Sequence, residues 1–283
     1  MRPTFLAGMT AILGLTIGVA ASAQLTATSD RPVIYGHHHV NVTNLDEHRK
    51  FWLDTLGGTP VTLGNLEVVK FTNVLVILTE QEPSGGTKGT TVNHIGFTVP
   101  SLRATLDKVQ AAGYPVVSKE EVPSTYVVSD GIAYNAVQDA HLAFVMAPDD
   151  VKIEFTEDPA QSTPAKLHHI HFATQEVAEM KAWYVKTFGA TPGMRGNFQA
   201  ADLPGVNLTY SSSDSTLAGT RGRSLDHIGF EIDGLEAFCK KLESQGVSFD
   251  MPYTEIESLG IAIAFFTDPF GTYIELTEGL DKF

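Results

Sequence analysis

The feature that most constrains this chain is that it repeats itself. Residues 35–80 lie without a gap on residues 167–212, which brings His37 onto His169, His39 onto His171, Glu47 onto Glu179, Gly57 onto Gly189 and Thr59-Pro60 onto Thr191-Pro192. In a register one residue longer, His94-Ile95-Gly96-Phe97 falls on His227-Ile228-Gly229-Phe230, and Gly113 falls on Gly246. Such a period has to be found before any motif is weighed, because each copy is a supersecondary unit that builds a fold only with its neighbours.

Each half divides again. His37, His94, His169 and His227 are each followed, eight residues on, by Leu45, Leu102, Val177 and Leu235. An alternating apolar segment begins at each His, and a period of two is that of a strand. Helices are predicted over Leu45–Leu56, Leu102–Ala112, Val177–Phe188 and Leu235–Gln245. They stop at Gly57, Gly113, Gly189 and Gly246, since glycine tolerates the left-handed cap. Further strands are predicted over Asn73–Leu78, His141–Met146, Val151–Phe155, Ala262–Phe266 and Thr272–Leu276, between Gly, Pro, Asn and Asp. The fold class is α+β, with four βαβββ modules over 33–83, 91–158, 166–213 and 223–283. A polar, Pro-bounded linker at 159–165 separates a first domain, 33–158, from a second, 166–283.

Ahead of these modules, Arg2, an apolar run from Phe5 to Ala20 and Ala21-Ser22-Ala23 have the order of a secretory signal, expected at residues 1–23. The expectation is a secreted, periplasmic protein without a membrane anchor after signal cleavage, where cytosolic thiol cofactors such as glutathione are scarce. Composition narrows the function. With 33 acidic against 19 basic side chains the net charge is −14, and clustered Lys and Arg of the kind that binds phosphate backbones are missing, so no nucleic acid partner is expected. The single Cys239 excludes both an intrachain disulfide and a cysteine-based zinc site.

The run Leu225-Asp226-His227-Ile228-Gly229-Phe230-Glu231-Ile232, the helix after it, and the ending Phe266-Thr267-Asp268-Pro269-Phe270-Gly271-Thr272-Tyr273-Ile274-Glu275-Leu276 resemble the vicinal oxygen chelate superfamily. That group includes glyoxalase I, extradiol dioxygenases, epimerases and bleomycin-resistance proteins. The resemblance covers residues 33–280 and implies two vicinal-oxygen-chelate domains, each a curved mixed sheet enclosing a metal cup built from two modules. Family ligands come from the first and last strands of a module. Carried over by position, they are His37, His94 and Glu154 for the first domain and His169, His227 and Glu275 for the second, while Ile77 and Thr209 stand where modules one and three would carry an acid.

Two imidazoles and one carboxylate leave coordination positions open, a divalent set that suits Fe(II) first and Mn(II), Zn(II) or Ni(II) next, and lets a substrate with neighbouring oxygens chelate. His39 and His171 lie two residues past a ligand on the same strand face, as candidate acid–base groups, with Gly96 and Gly229 leaving room at that position in the other modules. His38 and His168 are expected to be polar surface residues, and Arg195, Lys88 and Arg221 to be loop cations, with substrate carboxylate binding as the alternative.

The resemblance implies an exported dioxygenase-like metalloenzyme for a small-molecule substrate. The usual catechol-cleaving apparatus is incomplete, because Phe144 and Phe265 occupy the positions of a family tyrosine and no His lies in 73–93 or 206–226, where a further catalytic His would precede the second His ligand. A glyoxalase- or epimerase-like lyase or isomerase is the first alternative, and a metal-free ligand-sequestering protein the second. With two cups in one chain, a monomer or homodimer is expected.

Overall fold

The computed structural model describes Leu25 and residues 32–283, so the signal expected at 1–23 lies outside the described residues. No helix among them is long and apolar enough to cross a membrane. Module one comprises β1 (Val33–Val42), α1 (Leu45–Arg49), β2 (Thr59–Leu63), β3 (Leu66–Phe71) and β4 (Val74–Glu80). Module two comprises β5 (Val92–Val99), α2 (Leu102–Ala111), α3 (Ser118–Glu121), β6 (Val128–Ser129), β7 (Ile132–Asn135), β8 (Ala140–Ala147) and β9 (Val151–Glu157). Module three runs through β10 (Lys166–Thr174), α4 (Val177–Phe188), β11 (Thr191–Arg195), β12 (Phe198–Leu203) and β13 (Val206–Ser212). Module four runs through β14 (Leu225–Ile232), α5 (Leu235–Ser244), β15 (Met251–Ile256), β16 (Ile261–Thr267) and β17 (Tyr273–Glu278).

The helices start and stop for local reasons. The Asn44 side chain accepts from the Asp46 and Glu47 amides, Ser101 accepts from Ala104, and Gly189 closes α4 at φ 71°. The first helix is α-helical only to Arg49 and continues as a wider π turn over Lys50–Thr55, where the Thr55 hydroxyl bonds the Lys50 carbonyl. Module two departs from the simple βαβββ plan through an insertion that adds α3 and the two-residue strand β6.

The sheets do not follow the halves of the sequence. One is ordered β15-β16-β17-β14-β1-β4-β3-β2 and joins modules one and four, and the other is ordered β11-β12-β13-β10-β5-β9-β8-β7-β6 and joins modules two and three. Both are mixed: β1 runs antiparallel to β14 and parallel to β4, as β10 does with β5 and β13. The expected grouping of modules one with two and three with four is therefore corrected for the cups. Sequential modules instead share the helical core. Phe51 packs on Tyr114 and Trp52 on Phe97 within the first half, while Tyr184 and Phe188 pack on Phe230 and Trp183 on Phe266 within the second.

Large buried aromatics of this kind dominate core energetics, so they hold sequential modules back to back. The free edges of their first strands then face the other half. Asn73 fastens the crossing, donating to the Leu167 and Gly205 carbonyls and accepting from the Leu167 amide.

Candidate metal centres

Each sheet gathers a cluster of ligand-type side chains on its concave face. In cup one, from modules one and four, His37 Nε2 lies 2.8 Å and His227 Nε2 2.9 Å from Glu275 Oε2. In cup two, from modules two and three, His94 Nε2 lies 3.0 Å and His169 Nε2 3.4 Å from Glu154 Oε2, and the two nitrogens are 3.3 Å apart. The six candidates thus form two sets of two His and one Glu, but partners are exchanged: His227, not His94, joins His37, and Glu154, not Glu275, joins His169.

Two glycines make the exchange sterically feasible. His37 pairs with Gly229 and His169 with Gly96, and a Cβ on either glycine would sit 1.9 Å from the imidazole across from it. The space at Gly96 and Gly229 belongs to the ligand ring from the other half of the chain. Two bulges position the other ligands. Asp226 on β14 and Asn93 on β5 are the extra residues opposite His39/Val40 and His171/Phe172, so each lies beside the His that follows it. Asp226 Oδ1 takes a hydrogen bond at 2.6 Å from His227 Nδ1, and Asn93 Oδ1 one at 2.9 Å from His94 Nδ1. Both contacts fix a ring so that Nε2 points inward. Neither Asp226 nor Asn93 stands out in the sequence as a site residue, although each immediately precedes a ligand in the duplicated register.

That one substitution separates the two imidazoles electrostatically. Burial disfavours charge on His227, but hydrogen bonds to Asp226 and Glu275 outweigh it and hold the pKa above the ordinary imidazole value. His94 has a neutral amide in place of the aspartate, and burial lowers its pKa despite Glu154. Burial would raise the glutamate values, yet His37 and His227 hold Glu275 far below the usual range, and His169 with Arg195 does the same for Glu154. Both carboxylates are thus kept ionised, as ligands must be.

His39 and His171 occupy matching places. His39 Nε2 is 2.8 Å from the Thr79 hydroxyl and its ring stacks on His227 at 4.4 Å, while His171 Nε2 is 3.0 Å from the Ser211 hydroxyl with its ring 4.4 Å from His94. Burial, with His94 and His169 adjacent, keeps the His171 pKa well below the ordinary value, so the ring is neutral. Its Nδ1 is buried without a hydrogen-bond partner, and His171 counts as a fourth donor in cup two, with the donor atoms of all four residues within 4.8 Å of one another.

The surface role expected for His38 is corrected, whereas His168 is half-buried beside a surface pocket. His38 is fully buried on the convex side, 2.5 Å from the Tyr35 hydroxyl, and burial with His37 nearby lowers its pKa to about 3. His168 is the bulged residue of β10 and places its Nδ1 3.0 Å from that of His169. Arg195 is not a free loop cation either: its Nη2 lies 3.2 Å from Glu154 Oε1, inside cup two. Of the other two cations, Lys88 pairs with Glu121, and Arg221 pairs with Asp250 and covers the Tyr273 ring at 4.5 Å.

A cavity of about 530 Å³ opens on cup two, lined by His94, Glu154, His171, Arg195, Phe144 and Phe198 among others. Phe144 meets His94 edge-on at 5.1 Å, and Phe198 meets His171 at 5.2 Å. Trp52 and Tyr184 are fully buried core residues away from this cavity.

The sequence matches the model of the Glyoxalase/Bleomycin resistance protein/Dioxygenase superfamily over residues 34–155 and again over 166–276. The chain belongs to this superfamily. Among solved structures it is similar to glyoxalase I from Zea mays, at 14% identity and a TM-score of 0.67 over 88% of this chain and 94% of that one. A single-site mutant of that maize enzyme matches at 14% identity and a TM-score of 0.69, covering 89% of this chain and 95% of that one. A putative dioxygenase from Bacillus subtilis is also similar, at 13% identity and a TM-score of 0.60 over 87% and 84%. At these identities the likeness is one of fold. No curated protein matches the sequence.

Both donor sets fit a divalent ion, because three ligand atoms converge in each and the far side of the outer ligands is held: Asp226 on His227, Asn93 on His94, Arg195 on Glu154.

Proposed function

We propose that this chain is an exported, metal-dependent enzyme of dioxygenase type that works on a small substrate with two neighbouring oxygens at cup two. The observation that carries the proposal is the meeting of His94, His169 and Glu154 with the neutral His171, with His94, Glu154 and His171 lining one cavity. A divalent ion at this donor set, Fe(II) first, supplies a Lewis acid for the two substrate oxygens and, as iron, electrons for dioxygen. The chain does the rest. Asn93 aims His94, Arg195 keeps Glu154 ionised and fixed, and Phe144 and Phe198 present an apolar wall that excludes water from the bound face of the substrate. His171, anchored through Nε2 on Ser211, holds its unpartnered Nδ1 ready to take a proton from a substrate hydroxyl and return it later. The apolar leader ahead of Gln24 supports the exported location.

A second reading is favoured by the same histidine. A neutral imidazole beside a Lewis-acid site also suits proton transfer between carbons, as a lyase or isomerase requires, without oxygen. Purification under anaerobic conditions, metal analysis and an oxygen electrode with vicinal diols and dihydroxyaromatics separate the two. Iron with substrate-dependent oxygen uptake supports the oxygenase, whereas turnover with zinc, nickel or manganese and no oxygen uptake supports the isomerase or lyase. A purified protein that takes up no metal at all contradicts both and leaves a ligand-sequestering role.

A further inference from the structure

Above the chelating residues, cup two carries a second cluster that the proposed chemistry does not use. Lys152 sits on β9 two residues before Glu154, so its side chain enters the same concave face, where it is only 4% exposed. Its ammonium lies 2.7 Å from Glu121 Oε2 and 5.6 Å from the centre of the Phe144 ring, which also meets His94 edge-on. Lysine and ligand imidazole therefore flank a single aromatic ring. Lys88 reaches the other oxygen of the same carboxylate, Glu121 Oε1, also at 2.7 Å. Glu121 ends α3, the helix present only in module two, so the cluster is peculiar to this cup.

One carboxylate shared by two ammoniums leaves a positive charge over. Arg195 and Glu154 offset one another, so the charged residues lining the cavity are Lys88, Lys152 and Arg195 against Glu121 and Glu154, a net excess of one cation in a chain of net charge −14. An ammonium has three donors, and Glu121 engages one of those on Lys152. Cup one shows what the fold needs without such a cluster: Tyr273 stands in the place of Lys152, and the counterpart of Lys88, Arg221, is matched one to one by Asp250. A nearly buried lysine costs desolvation that an aromatic side chain at the same place avoids, so stability does not account for it.

We propose that the substrate of cup two is an anion, with vicinal oxygens facing His94, Glu154 and His169 and a carboxylate reaching Lys152 and Lys88 across the Phe144 ring. The proposal rests on the reading of cup two as a chelating centre. The apolar wall of Leu142, Phe144 and Phe198 suits a ring-sized body between the two ends.

The test uses two chelators of one shape, 3,4-dihydroxybenzoate and its neutral analogue 3,4-dihydroxybenzamide, titrated into the full Zn(II)-loaded protein by calorimetry. The benzoate is expected to bind at least about tenfold tighter than the benzamide, as a charge-assisted hydrogen bond implies. Lys152→Met and Lys88→Met should each erode that preference by weakening benzoate binding more than benzamide binding, and Lys152→Arg should retain it. If Lys152→Met does not fold, Lys88→Met and the wild-type comparison decide. Equal affinities for the two chelators, or a preference that survives in the methionine variants, overturns the anion subsite alone. Binding of neither chelator overturns the chelating reading and the subsite with it.

Discussion

The two cups of this protein share a backbone and a donor set yet have opposite linings. At positions related by the duplication, Ile34, Leu63, Val68, Leu75 and Ile77 of cup one become Lys166, Arg195, Ala200, Asn207 and Thr209 in cup two. In cup one the apolar set is buried together with Ile261, Leu280 and Leu25, so both ends of the described chain close over that face. Glu231 anchors the C-terminal end by accepting from the Gly279 and Leu280 amides. In cup two, Arg195 lines the cavity that reaches the ligands, while Lys166 and Asn207 line a second pocket beside His168. Donor geometry is thus set by strand register and by the glycine opposite each ligand, whereas access is set by the side chains around it. The duplication holds the first constant and varies the second: a cavity reaches the ligands of cup two, whereas an apolar cluster packs beside those of cup one.

The largest effects should distinguish the cups by ligand loss. Glu154→Gln is expected to weaken metal binding at cup two by at least about 100-fold and to abolish chelator binding there. Glu275→Gln should empty cup one and leave chelator affinity within about twofold. Metal analysis after dialysis, with calorimetry, reads both, and equal damage to chelation by the two variants would end the division of labour. Packing gives the next effect. Ile77→Ala opens a hole in the apolar cluster of cup one and should cost about 2–4 kcal/mol in denaturant unfolding, whereas Thr209→Ala, which loses a hydroxyl bonded to Asn207, should cost about 1 kcal/mol.

Removing an orienting contact is smaller again. Asn93→Ala should weaken metal binding at cup two by about 10–100-fold, and Asp226→Ala should do so at cup one only. A further effect concerns acid stability. The pKa of His38 is about 3 in the folded protein, below the ordinary imidazole value, so the unfolded chain binds the extra proton first. The contribution of the neutral ring is complete above about pH 6.5 and is lost as pH falls toward the folded value, by about 1.4 kcal/mol per pH unit. His38→Ile, which copies Ile170 of the other half, should flatten the acid limb of the metal-free protein by that slope. An unchanged limb would mean that His38 does not titrate on unfolding.

Much of this was legible in the sequence. Helices and last strands follow from periodicity and glycine caps, and the six ligand candidates follow from the family resemblance laid onto the register of the duplication. The pairing of modules was not legible, for a specific reason. Modules one and three each bring one ligand histidine, and modules two and four each bring a histidine and a glutamate, so either grouping yields two His and one Glu. What decides between them is aromatic packing of sequential helices on the convex side, a tertiary effect with no local signature. The bulges at Asn93 and Asp226 were hidden because they break the alternation used to find the strands. Arg195 lies near its carboxylate only after modules two and three have been paired.

The central claim is that each centre is built across the two halves of the chain, and metal stoichiometry in double variants tests it most directly. The combination Glu154→Gln with His169→Ala damages one centre and should leave about one equivalent of bound metal, whereas Glu154→Gln with His37→Ala damages both and should leave none. The opposite result, with metal retained in the Glu154/His37 pair and lost in the Glu154/His169 pair, would contradict the crossed pairing.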